Sequence, residues 1–214
     1  MASRIMHMAV TQSVAEKRNI EDRNRLLLGA ILPDFYEKEV SHLKIAVCRG
    51  QKRTYHLTEY RKRYGHLMAS DALYLGYYLH LVQDIIYRDF VYNDHHWNPF
   101  VPGNVERLHR DYCLINSYMI ETCGLQNTVT LPDNFAEEPI NRLCPFEIQH
   151  LHDDLASDFS SDTEGEIFFF TREMADLYLQ KACDLCHKEI AALRMGKTCM
   201  DEYAWAWDRM PMSR

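Results

Sequence analysis

One stretch of eighteen residues constrains this chain more than any other: "LYLGYYLHLVQDIIYRDF", residues 73–90. Its apolar and aromatic side chains recur on all sides of a helix, which is typical of a helix buried inside a protein. The same stretch carries His80 and Asp84, four residues apart and therefore on one face of that helix. Because a buried carboxylate without a partner is costly, the two side chains either pair with each other or share a divalent metal ion.

The composition of the chain is that of one ordinary globular domain, covering residues 1–214. Its 214 residues include 47% hydrophobic and 12% aromatic side chains, enough for a real core. No apolar run reaches the roughly 18 residues that span a membrane, and the start, MASRIMHMAV, lacks the apolar core of a signal peptide. We therefore expect an unexported, cytoplasmic protein whose seven cysteines are mostly reduced. A net charge of −7 makes nucleic acid an unlikely class of partner.

The periodicity of the chain predicts an all-α protein, a single multi-helix domain with almost no hairpin signals. Asp71 is a good N-cap residue for the third predicted helix, and Gly124 is a typical left-handed residue at the C-terminal end of the fourth. The predicted helices span residues 3–17, 21–32, 71–91, 104–122, 146–159 and 171–195. The region 35–65 is predicted as a long excursion with a short helix near 57–63.

Positive charge is concentrated between Arg49 and His66, in "RGQKRTYHLTEYRKRYGH". This segment has six basic side chains, a single acidic one and three interleaved tyrosines. It is either a flap that contacts phosphate or an anionic surface, or a solvated loop whose charges keep it soluble. The sequence leaves both interpretations open.

Further candidate metal ligands lie outside the central helix. Asp34 follows a helix-ending proline and His42 comes eight residues later, so both can turn back toward a neighbouring helix. His7 lies among apolar residues of the first helix, where a histidine is also commonly a satisfied core residue. His109 and Cys113 repeat the four-residue spacing on the fourth helix, although a partly buried histidine beside a core cysteine fits the same pattern.

Taken together, these motifs resemble the zinc-dependent phospholipase C family, which is all-α and related to the single-strand-specific zinc nucleases. The similar pieces are the early "MH", the "LPD" at a helix end, the following "SH" and "LGYYLHLVQD", all within residues 1–115. The resemblance implies a hydrolase in which one to three zinc ions hold a phosphoester, a small molecule or a lipid head group, and activate water to attack phosphorus. It implies metal ligands at His7, Asp34, His42, His80, Asp84 and His109. It also makes Asp34 a candidate general base.

The chain differs from that family at three places. It begins MASR rather than with a tryptophan whose amine binds zinc, Phe90 stands beside Asp89 where the family has a histidine, and Cys113 stands in place of a glutamate. One complete metal site is still predicted, formed by Asp34, His42, His80 and Asp84. The alternative is a catalytically inactive, metal-stabilised binding or structural protein of the same fold.

Two other motifs offer competing chemistry. "HLHDDLASD" contains His152 and Asp153, a doublet similar to that of HD-domain phosphohydrolases, but an acid-rich exposed helix start fits it as well. "CDLCHKE" fits the C-x-x-C-H pattern of covalent haem attachment, yet it lies mid-helix in a chain that we expect to be unexported. HD-type phosphohydrolase chemistry is therefore a third hypothesis, and haem is not expected.

Overall fold

The architecture is that of a computed structural model, which describes residues 2–160 and 165–208. Within these residues the chain is mostly helical, so the predicted helical character is confirmed, and a small three-stranded sheet accompanies the helices. The helices are α1 (Arg4–Arg18), α2 (Arg23–Ile31), α3 (Lys38–Ser41), α4 (Leu57–Met68), α5 (Ala72–Asp89), α6 (Asn104–Cys123), α7 (Leu151–Phe159) and α8 (Arg172–Arg194). The strands are β1 (Lys44–Val47), β2 (Lys52–Tyr55) and β3 (Trp207–Asp208). No helix in the described part of the chain is both long and apolar enough to cross a membrane.

Helix α5 lies in the core, as its apolar sequence predicts. Every residue from position 76 to position 87 is buried, and α5 packs against α2, α4 and α8. The helix begins where the Asp71 carboxylate accepts a hydrogen bond from the Leu73 amide at 2.9 Å. A π-helical turn, Phe90–Asp94, continues it at the other end. The polar residues of α5 are therefore surrounded by protein and must find their partners there.

A pair of glycines allows α2 and α5 to cross with their backbones in contact. A Cβ atom at Gly29 would lie 2.1 Å from a carbonyl oxygen of α5, and a Cβ atom at Gly76 would lie 2.1 Å from a carbonyl oxygen of α2. Both distances are far below van der Waals contact, so a side chain at either position forces the helices apart. The close crossing brings the carbonyl group of Ala30 to the imidazole of His80.

The segment between α3 and α4 contains a β-hairpin, which the prediction of an all-α chain did not include. β1 and β2 pair antiparallel, with Lys44 opposite Tyr55, and β3 joins the sheet from the C-terminal part of the chain. The turn passes through Cys48, Arg49 and Gly50, all of which have positive φ. A cysteine and an arginine rarely adopt this left-handed conformation, so the turn lacks the usual glycine and asparagine signals.

The basic segment 49–66 forms β2 and most of α4, so its interpretation as a loop is wrong. Several of its cations are paired, such as Arg53 with Glu39 at 3.2 Å and Arg63 with Glu59 at 2.7 Å. These pairs reduce the charge that is free to attract an anionic partner. Contact of this segment with an anionic surface stays a prediction.

Candidate metal centre

Five side chains from separate parts of the chain converge beside α5. We call them the metal cluster: His7 on α1, Asp34 in the 3₁₀ turn after α2, His42 directly after α3, and His80 and Asp84 on α5. Two triads of these residues could each hold a metal ion, one formed by His7, His80 and Asp84 and the other by Asp34, His42 and His80. Within each triad, the potential ligand atoms all lie within 4.8 Å of one another. Four of the five residues are buried and Asp34 is intermediate, with 8% of its side chain exposed.

Local structure explains how distant residues reach one point. His80 and Asp84 lie one turn apart on α5, as their spacing predicts. Pro33 occupies the first turn of the 3₁₀ segment that follows α2, and this change of direction places Asp34 at the cluster. The short helix α3 then returns the chain, and His42 follows it.

The distances inside the metal cluster are those of ligands around a common centre. The Nε2 atoms of His42 and His80 lie 3.0 Å apart, and His42 Nε2 lies 3.6 Å from Asp84 Oδ2. His42 Nε2 lies 3.9 Å from Asp34 Oδ1, and His7 Nε2 lies 3.5 Å from Asp84 Oδ1. Ligand atoms bound at about 2.1 Å to one ion lie about 3.0–3.4 Å from their neighbours, so a small adjustment would close this set on one cation.

The orientation of two imidazole rings is fixed by hydrogen bonds at their outer nitrogens. His80 Nδ1 lies 2.7 Å from the Ala30 carbonyl oxygen, which can only accept, so this nitrogen carries the proton. His42 Nδ1 lies 2.9 Å from the Ser41 hydroxyl, which itself donates to the Glu37 carbonyl at 3.2 Å. Ser41 has one hydroxyl proton and can donate it to His42 Nδ1 instead, so either nitrogen of His42 can carry the proton of that ring. In both rings Nε2 points into the cluster, and in His80 it carries the lone pair.

The third ring is oriented in the same way by Gln83. His7 Nδ1 lies 3.0 Å from Gln83 Oε1, and the amide nitrogen of Gln83 donates to the Thr11 hydroxyl at 3.0 Å. The amide oxygen must then accept from His7, which leaves the lone pair on His7 Nε2 facing Asp84. Metal-binding histidines in proteins show this arrangement, in which the second ring nitrogen donates to a fixed acceptor.

In the metal cluster, ring nitrogens and carboxylate oxygens consequently face one another. The Nε2 atoms of His42 and His80 lie 3.0 Å apart, where either one ring donates a hydrogen bond to the other or both nitrogens face a cation between them. Among the described residues, His7 Nε2 and Asp34 Oδ1 are buried polar atoms without a hydrogen-bond partner. Buried polar groups of this kind are rare and costly. Three imidazoles and two carboxylates with this orientation could hold a metal ion.

Electrostatic effects keep the ligands in the protonation states that a metal requires. Burial lowers the pKa of His42 to about 4 and the pKa of His80 well below its usual value, so both rings are neutral at neutral pH. Burial opposes the charge on Asp34, whereas the nearby Lys38 ammonium lowers the pKa of that carboxyl.

The two candidate triads overlap at one side chain. Both include His80, whose Nδ1 is bonded to a backbone carbonyl, so only its Nε2 lone pair can bind a metal ion. The two oxygens of Asp84 face different rings, Oδ1 toward His7 and Oδ2 toward His42. The number of ions, between one and three, stays a prediction.

The remaining predicted residues lie outside both triads. His109 is exposed on α6, with its ring centroid 5.7 Å from that of Tyr112, and the exposed Cys113 thiol donates to the backbone carbonyl of His109 at 3.6 Å. The structure therefore does not bring His109 to the cluster, and its role as a ligand stays a prediction. Asp89 pairs with Lys181 at 2.8 Å instead of facing the cluster.

The residues behind the competing motifs are also apart from the metal cluster. His152 and Asp153 are exposed on α7, and neither belongs to a triad that could hold a metal. Cys183 and Cys186 are buried, reduced thiols in α8, where His187 accepts a hydrogen bond from Arg18 at 3.2 Å. These positions lend no support to HD-type chemistry or to haem.

Several residues that shape the site carry no signal in the sequence. Ser41, Gln83 and the Ala30 carbonyl orient the imidazoles, and Tyr55 donates a hydrogen bond to Asp84 Oδ2 at 3.1 Å. The backbone amide of Ala2 donates to the other oxygen of Asp84 at 3.1 Å. Gln83 stands next to Asp84 in the quoted helix, and an amide side chain in so apolar a helix is the signal in the sequence that could have indicated its role.

Comparisons with family models, with curated proteins and with solved structures found no match for this chain.

Proposed function

We propose that the chain is a zinc-dependent hydrolase of phosphoesters with the fold of the phospholipase C and zinc nuclease families. One observation carries the proposal: three imidazoles and two carboxylates converge in the core, and two of their buried atoms, His7 Nε2 and Asp34 Oδ1, have no hydrogen-bond partner among the described residues. The motifs "MH", "LPD", "SH" and "LGYYLHLVQD" support the same conclusion through their resemblance to the phospholipase C family. The ligands of this proposed site are His7, Asp34, His42, His80 and Asp84.

The donor set favours zinc over the hard cations. Imidazole nitrogen suits zinc and related transition metals, whereas calcium and magnesium prefer sites made of oxygen alone. The cluster has no thiolate, since Cys48 and Cys113 are exposed elsewhere and the other five cysteines are absent from both triads. A mixed nitrogen and oxygen set is common at catalytic zinc sites.

Asp34 is the residue best placed to act on a substrate. Its side chain is the only one of the five that reaches the surface, and its Oδ1 atom lacks a hydrogen-bond partner among the described residues. We infer that Asp34 accepts a proton from the attacking water, because its Oδ1 atom is the carboxylate oxygen of the cluster that no described residue occupies with a hydrogen bond. A zinc ion held by the cluster would supply Lewis-acid activation of water and of a phosphoryl oxygen.

Lys38 provides positive charge at the same edge. Its ammonium group lies 3.6 Å from Asp34 Oδ1, and its side chain is 55% exposed. A phosphoester that approaches Asp34 would therefore meet this cation and could pair with it. Pairing with the Lys38 ammonium would favour anionic substrates, and it would favour a small phosphoester and a lipid head group alike.

A second candidate function is a metal-stabilised protein without turnover. Burial of the cluster favours it, because His7, His42, His80 and Asp84 are all fully enclosed. A metal held so deeply stabilises the fold whether or not a substrate reaches it.

The two candidates are separated by one assay. Purified protein is tested on a panel of phosphodiesters and phosphomonoesters before chelation, after chelation and after zinc is restored. A hydrolase loses turnover on chelation and regains it with zinc, and Asp34→Asn lowers kcat. Zinc binding without turnover on the whole panel supports the structural role, and turnover that survives chelation contradicts a metal-dependent reaction.

A further inference from the structure

Asp84 is held from the side opposite His7 by a buried tyrosine. The Tyr55 hydroxyl lies 3.1 Å from Asp84 Oδ2, and the tyrosine is 1% exposed. Tyr55 comes from the end of β2, 29 positions before Asp84, so the contact joins the small sheet to α5. This contact fixes the carboxylate oxygen that also faces His42 Nε2 at 3.6 Å.

Arg88 lies behind Tyr55, one helical turn after Asp84. Its Nε and Nη2 atoms lie 3.2 Å and 3.1 Å from the Tyr55 hydroxyl oxygen. An arginine can only donate, so the hydroxyl accepts from Arg88 and its own proton is directed to Asp84. The order of donation is therefore fixed as Arg88 to Tyr55 to Asp84.

Arg88 is held in this position by aromatic contacts. Its guanidinium lies 4.3 Å from the ring centroid of Trp207 on β3, and its Nη1 donates to the Tyr92 hydroxyl at 3.0 Å. A guanidinium packed on aromatic rings loses little freedom when it forms further hydrogen bonds. The cation is thus a fixed part of the surroundings of Asp84.

We propose that Tyr55 and Arg88 are positioning residues that set the orientation of Asp84 as a metal ligand. The proposal rests on the metal site of the proposed function and adds to it two residues that touch neither metal nor substrate. Hydrogen bonds to a ligating carboxylate restrict its rotation, and such outer contacts change metal affinity by about 10–100-fold. The Arg88 charge also balances part of the negative charge of the two carboxylates.

A similar arrangement elsewhere in the core supplies the control. Arg61 donates to the Tyr78 hydroxyl at 2.6 Å, and that hydroxyl donates to the Glu189 carboxylate at 2.6 Å. This chain has the same residue types in the same order, but Glu189 belongs to neither metal triad. Loss of the Tyr78 hydroxyl should therefore lower stability without changing metal affinity.

The test compares Tyr55→Phe with Tyr78→Phe in the full chain. Both changes keep the ring and remove one buried hydroxyl, and zinc affinity is measured by competition with a chromophoric chelator. We expect Tyr55→Phe to weaken zinc binding by about 10–100-fold and Tyr78→Phe to leave it within about twofold. The absorption bands of the cobalt-substituted protein should shift only in Tyr55→Phe, because a merely structural change leaves the ligand geometry intact.

Arg88→Met extends the comparison, since it removes the charge and keeps most of the side-chain length. Weaker zinc binding in this variant is expected, in the same direction as for Tyr55→Phe. Wild-type zinc affinity in Tyr55→Phe overturns the positioning role and leaves the metal site intact. Wild-type protein that binds no zinc overturns the proposed function and the positioning role together.

Discussion

Two buried carboxylate centres of this molecule differ in what surrounds them. In the first, the metal cluster, three imidazoles and two carboxylates converge, and two of their buried atoms have no hydrogen-bond partner among the described residues. In the second, Glu189 accepts from Tyr78 at 2.6 Å, from Thr198 at 2.7 Å and from the backbone amides of Cys199 and Met200 at 2.7 Å and 3.0 Å. We call this second centre the Glu189 cluster.

The number of hydrogen-bond donors around each centre distinguishes a structural carboxylate from a candidate metal ligand. Protein donors satisfy Glu189, and although burial opposes its charge, the hydrogen bonds from Tyr78 and Thr198 keep its pKa below the usual value. The metal cluster leaves His7 Nε2 and Asp34 Oδ1 without a donor among the described residues, so it could hold a cation from outside the chain. Burial and carboxylate content alone do not distinguish the two centres, whereas a count of donors does.

Metal removal should have the largest effect, and only through the first centre. A ligand present at about 1,000 times its Kd stabilises a protein by about 4 kcal/mol, which for a chain of this size is a Tm shift of about 8–16 °C. We expect a chelator to lower Tm by this amount, as measured by calorimetry, and zinc to restore it. Glu189→Gln should show the same drop. A chelator that leaves Tm unchanged would remove the distinction between the centres.

Acid should destabilise the chelated protein through the metal cluster before it affects the Glu189 cluster. The pKa of His42 falls from 6.5 to about 4 in the folded state, so below pH 6.5 the unfolded chain binds a proton that the folded chain does not. The stability contributed by His42 is therefore full above pH 6.5 and falls toward pH 4, by about 1.4 kcal/mol per pH unit and about 3 kcal/mol in all, and His80, whose pKa burial also lowers, adds to the loss. Glu189 contributes only below its ordinary pKa of 4.5.

Urea unfolding of the chelated protein at pH 7, 6 and 5 measures this slope. His42→Asn should make the slope shallower between pH 6.5 and pH 5 and leave the part that His80 contributes, whereas Glu189→Gln should change only the region below pH 4.5. A wild-type curve that is flat from pH 6.5 to pH 5 contradicts the burial of a neutral His42.

Gly76→Ala should disturb the metal cluster by way of the helix crossing. The new Cβ atom would lie 2.1 Å from a backbone oxygen of α2, which forces a backbone shift at a cost of about 2–3 kcal/mol. The shift moves the Ala30 carbonyl away from His80, so we also expect weaker zinc binding. Gly65→Ala is the control, because that position on α4 has open space and alanine favours a helix by up to about 1 kcal/mol. Equal stability of the two variants would show that α2 and α5 are not in backbone contact.

Glu189→Gln should have the smallest effect of the set, about 2 kcal/mol of unfolding free energy. The substitution removes a charged acceptor from several short hydrogen bonds, and the loss should be the same with and without zinc. Glu121→Gln, on the exposed surface of α6, should change stability by no more than about 0.5 kcal/mol. A zinc-dependent cost for Glu189→Gln would mean that the two centres are coupled.

The sequence predicts those parts of the fold that depend on local pattern. The buried helix around His80, the stop at Gly124 and the long last helix all follow from periodicity and capping, which act within a few residues. The hairpin was not predicted because its turn uses Cys48 and Arg49 in conformations that neither residue favours locally. Tertiary pairing with β3 stabilises that turn, and pairing over such a distance leaves no local trace.

The candidate site, like the fold, was predicted where local sequence pattern determines it and was not predicted where tertiary contacts determine it. The spacing of His80 and Asp84 predicts a shared face, and Asp34 and His42 were correctly expected near a neighbouring helix, where the structure places them with His7. The residues that orient them depend on the α2–α5 crossing and on the hairpin, so no pattern in the chain could indicate Tyr55 or the Ala30 carbonyl. The candidate metal ligands could be recognised from their residue types, whereas the residues that orient them could be identified only from the three-dimensional structure.

The most direct test of a cation between these side chains is the metal content of purified protein, measured by inductively coupled plasma mass spectrometry without chelators in any buffer. Wild type, His80→Ala and Glu189→Gln are compared, because the first substitution removes the shared ligand and the second alters the carboxylate that needs no metal. We expect one zinc ion per chain in wild type and in Glu189→Gln, and none in His80→Ala. Wild-type protein without a divalent metal, or His80→Ala with the wild-type amount, would contradict a metal centre at this site.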